Sequence, residues 1–237
     1  MPRIKFTDLI LYEDDDYLVI NKPSFIATLE DRNDPVSILS LARSHIADAQ
    51  VGHRLDKETS GALAIAKHPE AYRALAIQFE KRKVDKIYHA VSEGIHDFQA
   101  VMVDLPIYAT RKGVVKISRR EGKPAQTLIN TLKVYQRHTL VKCQPTTGRM
   151  HQIRIHLTSL KAPIVGDEQY GGHLFYLSSI KRNYHLKKNT EEQPLIKRVA
   201  LHAYALGFES LAGGAIEVQA PYPKDFAVLL KQLDKNR

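Results

Sequence analysis

Residues 53–61 read His-Arg-Leu-Asp-Lys-Glu-Thr-Ser-Gly and gather acids, bases, hydroxyls and a histidine directly ahead of the apolar run Ala62 to Ala66. A charged turn feeding a buried strand is a common way to hold a reactive side chain on a rigid support. Its aspartate, Asp56, could attack a sugar carbon or an activated ring carbon, provided that an arginine holds it ionised and aimed. Arg154 is a candidate for that partner, because its predicted helix carries apolar residues on another face. Tyr88 could stack on a base and relay a proton. A solvated turn in which Asp56 only caps local backbone fits the same nine residues.

Other chemistries find less support. There are 11 histidines, but His151 and His156 stand five apart and so point to different helix faces. HExxH spacing is absent, and no metal is expected. No GxSxG elbow presents a nucleophilic serine. Cys143, the single cysteine, lies inside a predicted strand and reads as a small core residue. Without GxxxxGK[ST] or GxGxxG, no nucleotide cofactor is indicated.

Composition narrows the partner. Thirty-five Lys and Arg against 26 Asp and Glu give a net charge of +9, which favours a polyanion through steering and counterion release. One cysteine excludes an internal disulfide framework and points to a reducing compartment. The amino terminus has no long apolar core of a signal peptide, and no segment is apolar enough to span a bilayer. A cytoplasmic protein without membrane contact is expected.

The elements that must position Asp56, Tyr88 and Arg154 follow from periodicity. Ile10 to Tyr12 and Tyr17 to Asn21 read as strands around an acidic turn. Asp34-Pro35 signals a helix start, and His68-Pro69 another, with Tyr72, Leu75 and Phe79 on one face. Lys86 to Val91 and Val101 to Ile107 alternate as strands; Ala125 to Tyr135 and Thr139 to Gln144 form a hairpin. Ile153, Leu157 and Leu160 mark a helix, Ala200 to Phe208 and Ala215 to Gln219 two closing strands, and Phe226, Leu229, Leu230 and Leu233 a final helix. Strands outnumber helices and most are hairpin-connected. The reading is an α+β fold with a mainly antiparallel mixed sheet, one domain over 1–237, and basic insertions at about 111–123 and 173–198.

The motifs resemble the RluA-type pseudouridine synthases. The stretch HRLDKETSG followed by an apolar strand looks like that family's signature, and several further blocks are similar and in order. These are ILYEDDDYLVINKP at 10–23, the Lys86-Ile-Tyr88-His-Ala90 strand, Gly122-Lys-Pro-Ala-Gln-Thr127, Thr147-Gly-Arg-Met-His-Gln-Ile-Arg-Ile-His-Leu157, Ile164-Val-Gly-Asp167, Tyr170-Gly171 and Leu201-His-Ala203. The resemblance implies isomerisation of uridine to pseudouridine in RNA with no cofactor. It implies Asp56 as nucleophile, Tyr88 stacking on the uracil and assisting proton removal, and Arg154 pairing with Asp56. Arg54 would extrude the target nucleotide or fill its gap.

Further RNA contacts are expected from Lys112, Arg119, Arg149, Lys181 and Arg182, with a ribosomal or transfer RNA stem-loop as partner and a monomeric enzyme. A catalytically silent RNA-binding protein would explain the charge, but has no use for Asp56, Tyr88 and Arg154 together. Two departures stand out. Phe25 occupies a position where the family usually has glycine, so another backbone shape is expected there. Met150 replaces a small hydroxyl residue, so the cap of the arginine helix is expected to move to Thr146 or Thr147. The S4-type RNA-binding domain that precedes some members is expected to be missing, since the matching blocks begin near residue 10.

Overall fold

The computed structural model describes residues 5–30, 36–110, 113–186 and 189–236. The contacts cluster into two compact units, one formed by 1–88 with 202–221, the other by 89–201 with 222–237. The expected α+β character holds in both.

The first unit is organised on β4 (Ser60–Ala66), whose seven residues are all buried. It pairs antiparallel with β2 (Tyr17–Lys22), which itself pairs with β1 (Ile10–Glu13), and with the short β3 (Gln50–Val51). On the edge away from β2, which β3 also occupies at Ile65 and Ala66, it meets β11 (Leu201–Glu209) in parallel at His202 and Ala203, and β12 (Ala215–Gln219) pairs antiparallel with β11. A strand flanked on both sides and covered on both faces should be apolar throughout rather than alternating.

The strand period of two then decides which side chain meets which layer. Ala62, Ala64 and Ala66 join Tyr17, Val19, Ala71 and Leu75 in one core cluster, on the side of α2 (Pro69–Glu80). Leu63 and Ile65 join Leu18, Ile20, Ile38 and Ala42 in the other, on the side of α1 (Ile38–His45). Leu55 and Tyr88 belong to this second cluster.

Ser37 and Ser40 cap α1 reciprocally, a capping box; the expected Asp34-Pro35 start lies outside the described residues. His68 caps α2, with Pro69 at its first position as expected.

The second unit takes up the latter part of β5 (Asp85–Glu93), which neighbours β10 (His138–Pro145); β9 (Gln126–Val134) pairs antiparallel with β10 and with β6 (Val101–Asp104). The strand expected over Val101 to Ile107 is two strands, because Pro106 cannot continue a ladder. The second piece, β7 (Ile107–Ala109), forms a two-stranded ribbon with β8 (Val115–Ile117), a strand within the basic stretch at 111–123. Helix α3 (Gln152–Ser159) carries Arg154, and α4 (Lys224–Lys235) buries Phe226, Leu229 and Leu233.

Candidate active site

Asp56 sits on a turn closed by a hydrogen bond from the Thr59 N–H to its own carbonyl, at 3.0 Å. Both flanking residues are pinned to the segment after β2. Thr28 Oγ1 accepts from the Leu55 N–H at 3.1 Å and donates to the Leu55 carbonyl at 2.8 Å. The Lys57 carbonyl accepts from the Phe25 N–H at 2.7 Å and from Lys22 Nζ at 3.2 Å. Lys22 is wholly buried, and its ammonium also donates to the carbonyls of Pro23 and Ile26. A buried ammonium demands partners; here backbone carbonyls supply them, which ties the Asn-Lys-Pro turn to the aspartate loop.

Below the loop, Ser60 and Gly61 anchor it to β11. His202 Nε2 donates to the Ala220 carbonyl at 3.1 Å, so its Nδ1 accepts from the Ser60 hydroxyl at 2.9 Å. Gly61 has φ 117°, and a Cβ there would lie 2.1 Å from the Ala203 carbonyl oxygen, so only glycine allows the two strands this approach.

Phe25 departs from the expectation of another backbone shape. It takes φ 68°, the left-handed conformation glycine favours, while 46% exposed. A left-handed non-glycine residue costs about 1–2 kcal/mol, which the Phe25–Lys57 hydrogen bond helps to sustain.

Tyr88 closes the aspartate's surroundings on the β5 side. Burial, and then the negative charge of Asp56, push its phenol well above the ordinary tyrosine value. Tyr88 is therefore a neutral phenol at physiological pH, able to stack and to pass a proton but not to act as a resident phenolate. His53 is the opposite case. The Ala64 N–H donates to its Nε2 at 3.2 Å, its ring stacks on Phe79, and burial followed by the charge of Lys86 lowers it to about 3. Burial likewise brings the Lys86 ammonium down to about 8. Arg54, between His53 and Leu55, is exposed.

In the second unit, α3 is buried from Gln152 through Leu157, so the expectation of a one-sided apolar helix is corrected. Arg154, 9% exposed, is held by a fork: Nε and Nη2 each donate to Asp167 at 2.7 Å. Nη2 also donates to Gln169, and the guanidinium lies 4.9 Å from the Tyr170 ring centre. The expected cap at Thr146 or Thr147 is not formed. The helix instead starts from a left-handed His151 with no side-chain cap, and Gln152 folds back to accept from the Arg149 N–H and the Thr147 hydroxyl.

Among the expected RNA contacts, Arg149 is half-buried, its Nε bonded to the Pro124 carbonyl; Arg119, Lys181 and Arg182 are exposed. Lys112 lies outside the described residues. Arg198, the last residue of the basic 173–198 stretch, is not a surface cation. It is 1% exposed and forks onto Asp225. Cys143 is buried and free, its thiol raised by burial, as its strand position suggested. Lys22, Lys86, Asp167 and His202 were missed by sequence reasoning as supports. Each nevertheless lies in one of the blocks that carry the family resemblance, at 10–23, 86–90, 164–167 and 201–203.

Comparison with known proteins gives this arrangement its class. Residues 16–159 match the family model for RNA pseudouridylate synthases. The chain is 33% identical over 94% of its length to ribosomal large subunit pseudouridine synthase D of Haemophilus influenzae, covering 70% of that protein. It is also 33% identical over 97% of its length to ribosomal large subunit pseudouridine synthase C of Escherichia coli, covering 71%. Human RNA pseudouridylate synthase domain containing 4 superposes with a TM-score of 0.72 at 25% identity, covering 97% of this chain and 94% of that one. The chain thus belongs to the RNA pseudouridylate synthase family, isomerases that convert uridine in RNA to pseudouridine.

Proposed function

We propose that this enzyme acts on ribosomal RNA, with Asp56 as nucleophile, Tyr88 as stacking and proton-relaying group, and Arg154 as the cation that keeps the nucleophile ionised. Arg54 helps to extrude the target nucleotide or fills the gap it leaves. The observation carrying this reading is the fixing of the Asp56 backbone on both sides, through Leu55 to Thr28 and through Lys57 to Phe25 and Lys22. A backbone clamped so firmly serves a side chain that must be aimed.

The reaction breaks the N1–C1′ bond, turns the uracil and joins C5 to C1′. The proton on C5 leaves to solvent and N1 gains one, so no cofactor is required. Attack at C1′, passage through a glycal and addition at C6 all fit an aspartate in this position. Tyr88, kept as a phenol, suits the relay of the C5 proton better than its outright removal. Extruding the target from its stack costs a few kcal/mol, offset by phosphate contacts from Arg119, Arg149, Lys181 and Arg182 and from Lys112.

The ribosomal choice follows the names of the bacterial relatives; a transfer RNA stem-loop is the competing outcome. The same reading takes residues 1–237 as one catalytic domain acting as a cytoplasmic monomer. Among the described residues no helix is long and apolar enough to cross a membrane. The test is tritium release from RNA labelled at uridine C5. Asp56→Asn should remain folded and release none, and wild-type turnover by that variant would overturn the assignment. Pseudouridine mapping of total RNA from a deletion strain then decides between ribosomal and transfer RNA.

A further inference from the structure

Next to the aspartate loop, in the first unit, a pocket of about 290 Å³ opens beside Arg54. Its volume is at the small end of ligand sites, suited to one planar ring system with its attached groups. Leu29, Leu39 and Tyr72 supply its apolar lining, and His53 contributes a ring backed by Phe79. Leu29 and Tyr72 stay 42% and 36% exposed, although Tyr72 lies on a helix whose Ala71 and Leu75 are buried. Because the Ala64 N–H donates to Nε2 of His53, the ring is held in one tautomer with no acceptor demand left at that nitrogen.

Two cations stand at this pocket, both exposed, from separate elements: Arg43 on α1 and Arg54 on the loop. Arg43 Nε donates to the Ala49 carbonyl at 3.3 Å, which steadies its stem. An apolar, aromatic hollow bordered by two arginines is complementary to a base attached to a phosphodiester. Arg54 also precedes Asp56 by two residues, so their Cα atoms are within roughly 7 Å, about one nucleotide step.

We propose that this pocket is a second nucleotide subsite, in which a base adjoining the target uridine stacks on Tyr72 while Arg43 grips its phosphate. The site rests on the proposed role of Asp56 only for which nucleotide it receives, not for its capacity to bind one. It makes substrate choice depend on the nucleotide next to the target as well as on the target itself.

The probes are the four 5′-nucleoside monophosphates, the corresponding nucleosides and inorganic phosphate, titrated into the wild-type protein and followed by the methyl resonances of Leu29 and Leu39. Monophosphates should shift these methyls saturably, more tightly than nucleosides or phosphate alone. Tyr72→Ala should abolish the shift, and Arg43→Ala should erase the advantage of monophosphate over nucleoside. On RNA substrate both variants should raise KM about tenfold, the order of one lost base stack, with kcat unchanged. No saturable methyl shift in the wild type, or a KM unmoved by both substitutions, would overturn the subsite. The titration needs no turnover, so an active Asp56→Asn would sink the nucleophile assignment and leave this result standing.

Discussion

Thr28 and Leu55 exchange two hydrogen bonds, the Leu55 N–H giving to Thr28 Oγ1 at 3.1 Å and the Thr28 hydroxyl giving to the Leu55 carbonyl at 2.8 Å. One hydroxyl thereby satisfies both backbone groups of the residue just ahead of Asp56, and both residues are buried. Thr28→Val keeps the shape and removes the pair. Each stranded buried group costs about 1–3 kcal/mol, so a urea titration should show a loss of several kcal/mol. The loosened aspartate should lower kcat about tenfold or more, with KM little changed. A variant that unfolds earlier yet keeps wild-type kcat would show that the clamp serves stability alone.

Arg154 presents a flat fork to Asp167, a geometry lysine cannot copy. Arg154→Lys should therefore destabilise the protein by about 1.5–3 kcal/mol, the worth of a charged hydrogen bond, and reduce tritium release far more than it reduces RNA binding. Asp167→Asn keeps the shape while losing the charge, and should impair turnover in the same direction.

Phe25 holds a left-handed backbone with an exposed ring. Phe25→Ala removes the ring and keeps the strain, whereas Phe25→Gly removes both. The glycine variant should be the more stable of the two by about 1 kcal/mol. Equal melting temperatures would mean that the strain is negligible.

His53 carries a pH dependence whose sign is fixed. Its folded value, lowered from 6.5 to about 3 by burial and then by Lys86, means that between those two pH values the unfolded chain binds a proton the folded one refuses. Stability should fall as pH drops through that window. His53→Gln can still accept from the Ala64 N–H and does not titrate. Urea midpoints between about pH 6 and 4 should then decline less steeply than in the wild type, the residual slope coming in part from His138 and His156, which burial also lowers.

Much of the frame was legible in the sequence because periodicity and turn chemistry act locally. Tyr17 to Asn21, the α2 start at His68-Pro69 and the 126–145 hairpin each follow from neighbouring residues alone. What was hidden depended on distant partners. Nothing near Lys22 shows that the carbonyl of Lys57, 35 residues on, will join those of Pro23 and Ile26 around its ammonium. Arg198 reads as one more surface cation until Asp225, 27 residues on, is folded against it. The left-handed Phe25 runs against local preference, and only the long-range bond to Lys57 explains why the chain accepts it.

The partnership of Ser60 with His202 spans 142 positions, and this orders events during translation. At about 5–20 residues per second, the ribosome needs roughly 7–28 s after making the Asp56 loop before β11 can emerge to brace it. Through that interval β4 has an unfilled edge beside Gly61, and a nascent chain stalled at residue 200 should remain protease-sensitive across 53–61. Release of β11 from the exit tunnel should confer protection there, while protection arising before β11 exists would mean that the loop matures without it.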